Sequence, residues 1–127
     1  MIRLLIVDDA PFIRELVQLN VRDQGISVVA EAEDGAEALM FARTLQPDVI
    51  LMDLVMPKMN GIEATEAILA EYPQTRVIAF STADHESIVA RAIQAGCCDF
   101  LSKPFTSEDL VKAIQRAMAD RRESKEA

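Results

Sequence analysis

Residues 48–61 read DVILMDLVMPKMNG, and the fold turns on the acid in their middle. Val49, Ile50, Leu51 and Met52 form an unbroken apolar run, the pattern of a strand buried on both faces as in the centre of a parallel sheet. The run ends in a carboxylate, Asp53, with Leu54, Val55 and Met56 beyond it, so Asp53 has no helix start to cap. A loop marked by Pro57 and Gly61 follows, and Ile62 to Glu71 reads as a helix that Pro73 ends. An ionisable group at the end of a fully apolar strand asks for a reason beyond local structure.

Working outward, short β-like runs alternate with longer segments of helical period. Arg3 to Val7 is the first strand; Pro11 opens a helix carrying Phe12, Ile13, Leu16, Val17 and Leu19, stopped by Gly25. Ser27 to Glu33 is the second strand, and the helix from Gly35 puts Ala38, Leu39, Ala42 and Leu45 on one stripe before Pro47 closes it. After the quoted stretch come a strand from Thr75 to Ser81, a helix from Asp84 to Gly96 with Asp84 as N-cap, a strand from Cys98 to Ser102, and a last helix in which Thr106 and Asp109 suggest a capping box. Five strands alternating with five helices predict an α/β fold. Right-handed crossovers reduce the topologies, and the expectation is a flavodoxin-like, doubly wound, five-stranded parallel sheet of order 2-1-3-4-5 with helices on two faces.

The chain has 127 residues, half of them apolar, which fits one domain: residues 1–121 as the folded unit and 122–127 as a polar C-terminal tail. A net charge of −8 argues against direct binding to nucleic acid. No apolar stretch approaches the roughly 20 residues of a membrane span, and the N-terminal run is too short for a secretion signal, so a cytoplasmic protein without membrane insertion is expected. The two cysteines, Cys97 and Cys98, are adjacent and read as reduced structural thiols. His85 reads as a surface residue.

The polar residues are placed more tellingly. The first strand ends in Asp8 and Asp9, the third in Asp53, the fourth in Ser81 and Thr82, and the fifth in Ser102 and Lys103. In a doubly wound parallel sheet these carboxyl ends share one edge, where ligands bind beside the switch point between strands 1 and 3. Asp8, Asp9 and Asp53 therefore converge. At an effective dielectric of about 20, each close pair of ionised carboxylates costs on the order of 4 kcal/mol at 4 Å. One lysine does not offset three charges, and without soft ligands nearby the missing partner is a hard divalent cation, Mg²⁺ or Mn²⁺. With Lys103 and Ser81 opposite, such a site is arranged for phosphoryl transfer, one carboxylate attacking as nucleophile.

On the motifs IVDD (6–9), LMDLVMPKMNG (51–61), VIAFST (77–82) and LSKPF (101–105), the chain resembles the receiver domain of bacterial two-component response regulators over about residues 2 to 120. The resemblance implies that Asp53 takes a phosphoryl group from a phosphohistidine on a sensor histidine kinase or phosphotransfer protein. It implies a metal held by Asp9, Asp53 and the backbone carbonyl of Val55, and by Asp8 through water. It further implies that Lys103 pairs with a phosphoryl oxygen, that Ser81 moves to bond another, that Phe100 turns inward in response, and that a cis peptide precedes Pro104. The face of the fourth strand, fourth helix, fifth strand and fifth helix would report the state to a downstream protein target. The protein would then be a switch and not an enzyme, promoting only its own phosphoryl transfer and autodephosphorylation, as a monomer or a phosphorylation-dependent dimer.

Two departures stand out. Ser81 and Thr82 replace the commoner Thr and Ala, so Thr82 narrows access to the phosphate or shares the hydroxyl role; Phe100 lacks the hydroxyl of the commoner Tyr, and core packing is its alternative role. A receiver cut from a longer regulator is the near rival. An aspartyl phosphatase is disfavoured because Asp8 and Asp9 are adjacent and not two apart; a flavin carrier is disfavoured because the acids after the first strand repel phosphate. The fourth helix, with Ile88, Val89, Ala92, Ile93 and Ala95, offers an apolar strip that reads mostly as core.

Overall fold

A computed structural model describes residues 1–56, 59–82 and 86–126, with side chains at all of these except 86 and 121–126. Its elements are β1 (Ile2–Val7), α1 (Pro11–Val21), β2 (Ile26–Ala32), α2 (Gly35–Leu45), β3 (Val49–Asp53), α3 (Gly61–Glu71), β4 (Arg76–Thr82), α4 (Glu86–Ala95), β5 (Asp99–Lys103) and α5 (Ser107–Glu126). The five strands form one sheet in the order β2-β1-β3-β4-β5, and each neighbouring pair is parallel. The flavodoxin-like arrangement is thus observed. Every residue of β3 is buried, as its uninterrupted apolar run requires.

Side chains alternate along each strand, and the alternation sorts the core into two layers. One layer joins Leu5, Val7, Ile50, Met52, Val77 and Ala79 to Ala38 and Ala42 of α2, Ile62 and Ile68 of α3 and Ala92 of α4. The opposite layer joins Leu4, Ile6, Val49, Leu51, Ile78, Phe80 and Leu101 to Val17 and Val21 of α1 and Leu110, Ala113 and Ile114 of α5. The apolar positions of α1 are redistributed from the sequence expectation: Phe12 and Leu19 are 71% and 59% exposed, while Val17 and Val21 are buried. The apolar arc of that helix is wider than the face the sheet can cover, so its Val17 and Val21 edge is buried and its Phe12 and Leu19 edge is left to solvent.

The helix ends follow local chemistry. Asp34 caps α2 by accepting the Glu37 N–H at 2.8 Å, Asn60 caps α3 by accepting the Glu63 N–H at 3.0 Å, and Thr106 accepts the Asp109 N–H at 3.1 Å. α1 ends at Val21, before Gly25, whose φ of +74° turns the chain into β2. Gly96, at φ +112°, stops α4. Asp84, expected to cap α4, lies outside the described residues together with His85, Pro57 and Lys58. α5 continues as helix to Glu126, through most of the segment set apart as a tail.

Candidate functional site

The carboxyl ends of β1, β3, β4 and β5 meet at one edge. Asp8 follows β1 and is buried; its Oδ1 accepts the Ala10 N–H at 2.8 Å, holding the turn into α1. Its backbone carbonyl accepts a bond from the Arg14 guanidinium at 2.7 Å, and Arg14 also pairs with Glu31 at 3.0 Å, which ties α1 to β2 behind the acid. Asp9 is exposed at the mouth.

Asp53 ends β3 and is buried, its Oδ1 accepting the Val55 N–H at 3.2 Å. The loop beyond it is packed tightly. A Cβ on Gly61 would collide with the Asp53 carbonyl and one on Gly35 with the Met59 carbonyl, so only glycine fits where the chain doubles back beneath Asp53. The Leu54 N–H reaches the Phe80 carbonyl at 3.3 Å, and the Gly61 N–H reaches the Leu54 carbonyl at 3.3 Å. Val55, whose carbonyl the resemblance assigns to a metal, stands 64% exposed on this loop.

Asp8, Asp9 and Asp53 each bring a carboxylate oxygen within 4.8 Å of the others. Lys103, at the end of β5, reaches in from the opposite side: its Nζ lies 2.7 Å from Asp8 Oδ2 and 3.6 Å from Asp53 Oδ1. The Lys103–Pro104 peptide is cis. Burial, and next the charge of Asp8, push the Asp53 carboxyl up to about 6, against the opposing pull of Lys103 and the Val55 N–H. One ammonium therefore under-compensates the acids. The donor set is all oxygen and excess negative, which suits a hard divalent cation, and Asp53 presents an oxygen beside a fixed positive charge.

Ser81 and Phe100 lie on the other side of the sheet. Ser81, buried at the end of β4, follows Ala79 at the two-residue repeat and so faces the layer of α2, α3 and α4. Phe100 is half-buried, packs against that same layer, and pairs in register with Ala79. Thr82 is exposed. Both cysteines are free, and burial pushes the Cys97 thiol up to about 11, as befits a structural residue.

Two features had no sequence signal assigned to them. Arg14 pins the backbone of Asp8 from a helical position. The Phe80 ring lies under Lys103, with Nζ 4.4 Å from its centroid, and meets Phe105 edge to face at 6.3 Å.

Among the described residues no helix is long and apolar enough to cross a membrane. Residues 4–115 match the family described as the response regulator receiver domain. The chemotaxis protein CheY of Listeria monocytogenes is 40% identical over 117 residues, covering 92% of this chain and 98% of that protein. CheY of Bacillus subtilis is 41% identical over 116 residues, 91% and 97% of the two chains. The crystal structure of the response regulator domain of Thermotoga maritima CheB superposes with a TM-score of 0.86 at 39% identity, covering 94% of this chain and 97% of that one. With the carboxylates, the lysine and the sheet order in the same places that its motifs foretell, this chain belongs to the receiver domains of two-component response regulators.

Proposed function

We propose that the protein is a phosphorylation-operated signalling switch in which Asp53 is the phosphoryl acceptor. The observation that carries this reading is the convergence of Asp8, Asp9 and Asp53 within 4.8 Å, with Lys103 bridging two of them. An Asp53 oxygen attacks phosphorus in line, the bond from phosphorus to the donor imidazole nitrogen breaks, and the imidazole leaves with its electron pair. The donor is a phosphohistidine of a sensor histidine kinase or a histidine phosphotransfer protein. Asp9, Asp53 and the Val55 carbonyl, with Asp8 through water, are the groups to hold Mg²⁺ or Mn²⁺, which when bound neutralises charge on the phosphoryl oxygens.

Lys103, held on Asp8 at 2.7 Å and already within 3.6 Å of Asp53, then shifts toward the new phosphoryl group, drawn by its added negative charge. Hydrolysis of the acyl phosphate returns the chain to its resting state. The added charge of about −1.5 to −2 gives Ser81, or Thr82 beside it, a reason to turn toward Asp53. Ser81 leaves the face it shares with Phe100, and Phe100 moves inward there; the surface of β4, α4, β5 and α5 reports the change to a downstream protein. Incubation with acetyl phosphate and Mg²⁺, followed by intact-mass spectrometry, tests the reading. Wild type gains one phosphoryl group, while chelator or Asp53→Asn prevents it; equal incorporation by the variant overturns the assignment.

A further inference from the structure

We propose that Phe80 is a positioning residue for Lys103: its ring face holds the ammonium between Asp8 and Asp53 without tying it to a further directed hydrogen-bond acceptor. The proposal rests on the reading of Asp53 as phosphoryl acceptor and adds to it the means by which its cation is kept in reach. Phe80 is fully buried and pairs in register with Asp53, so both side chains rise from the same face of the sheet. Asp8 and Lys103 fall on that face by the same alternation, following Ile6 and Leu101. Nζ sits 4.4 Å from the ring centroid, within the range of a cation–π contact, and Lys103 is only 20% exposed, so the attraction is little screened. The edge-to-face contact with Phe105 fixes the ring's orientation.

As part of the apolar layer, Phe80 would be replaceable by any side chain of its volume. An aliphatic residue fills space but offers no negative face. An acceptor such as Asn or Ser would attract the ammonium but bind one of its three N–H donors and fix its direction. A π face attracts the cation without using a donor, and the attraction changes little as Nζ slides across it. That property matters for a lysine bound at 2.7 Å to Asp8 and only 3.6 Å from Asp53, which has to turn from one to the other when a phosphoryl group arrives. Without the ring, the four-carbon stem is free to swing toward solvent or to settle wholly on Asp8.

Fluorinated phenylalanines incorporated at position 80 test this, since successive fluorines weaken the ring's negative face at nearly constant shape. Phosphorylation by acetyl phosphate at saturating Mg²⁺ is expected to slow stepwise, about three- to tenfold for the trifluorinated ring, with the apparent Mg²⁺ affinity unchanged. Phe80→Leu is expected to lose as much, and Phe80→Tyr to retain most of the rate. In NMR spectra the Lys103 ε-protons of the wild type are expected to be shifted upfield by the ring and to lose that shift in Phe80→Leu. A fluorinated protein that phosphorylates at the wild-type rate, or Lys103 protons without a ring shift, would overturn the proposal. A wild type that takes up no phosphoryl group at all would instead sink the assignment of Asp53, and the positioning role with it.

Discussion

The two faces of the sheet differ at its carboxyl edge. On the side of α1 and α5, Lys103 is hydrogen-bonded to Asp8 at 2.7 Å and ion-paired with Asp53 at 3.6 Å, and both acids accept N–H bonds from the turns that follow them, above the buried ring of Phe80. On the side of α2, α3 and α4, the same edge carries Ser81, a small hydroxyl side chain, and Phe100, an aromatic only half-buried. One face is charged and held by polar contacts; the other carries a small buried hydroxyl beside a half-buried aromatic. In the proposed mechanism this division separates the phosphoryl acceptor from the groups that respond to it, with the sheet itself as the common wall.

Substitutions should therefore divide by face. Lys103→Met removes the fixed cation and should slow phosphorylation of Asp53 by about 10²- to 10³-fold, the usual cost of losing a preorganised charge at a reacting centre. Acetyl phosphate kinetics would show it, and a loss under tenfold would mean that Lys103 does not contact the reacting group.

The burial of Asp53, and next the charge of Asp8 beside it, should appear as a pH dependence. The Asp53 carboxyl is raised from its ordinary value of 3.8 to about 6, so the folded state binds its proton more tightly than the unfolded chain does. In chelator, its ionisation should cost about 2–3 kcal/mol of stability above pH 6, a penalty that fades as pH falls through 6 and is gone below about pH 4. Urea unfolding of wild type and Asp53→Asn across this window checks it: the variant should be the more stable at pH 7.5, and the two should converge in acid. Added Mg²⁺ should narrow the gap at neutral pH by stabilising the ionised cluster.

Gly61→Ala should cost about 1–3 kcal/mol, because the new methyl meets the Asp53 backbone and the loop has to shift; chemical denaturation measures the loss. The smallest effect on chemistry belongs to the other face. Phe100→Ala should leave the phosphorylation rate within about twofold of wild type, since it stands across the sheet from the acids, and should abolish the phosphorylation-induced change in NMR shifts along α4 and α5. A large rate loss in that variant would break the proposed division between the faces.

Much of the architecture can be read from the chain alone. The bare apolar run of Val49 to Met52 demands burial on both sides, and a sheet that buries it must be parallel with helices above and below. The positions of Asp8, Asp9, Asp53 and Lys103 at strand ends then follow from topology, because parallel strands share their carboxyl edge. α1 was less legible: its apolar residues outnumber one stripe, so periodicity admitted Phe12 and Leu19 together with Val17, and packing buried Val17 and Val21 while leaving Phe12 and Leu19 to solvent. Asn60 as the cap of α3 carried a signal that could have been used, an Asn three residues before Glu63.

The residue types in order determined a β/α alternation and an acid at the end of a strand that nothing local explains, because hydrophobic period and strand polarity are properties of the chain. Only the tertiary structure decided that Lys103 lies over Phe80, that Arg14 holds the Asp8 carbonyl, and that Ser81 and Phe100 stand across the sheet from the acids. Those relations join residues far apart in sequence through strand register and side-chain direction, and a distance in space has no counterpart in a one-dimensional pattern until the strands are paired.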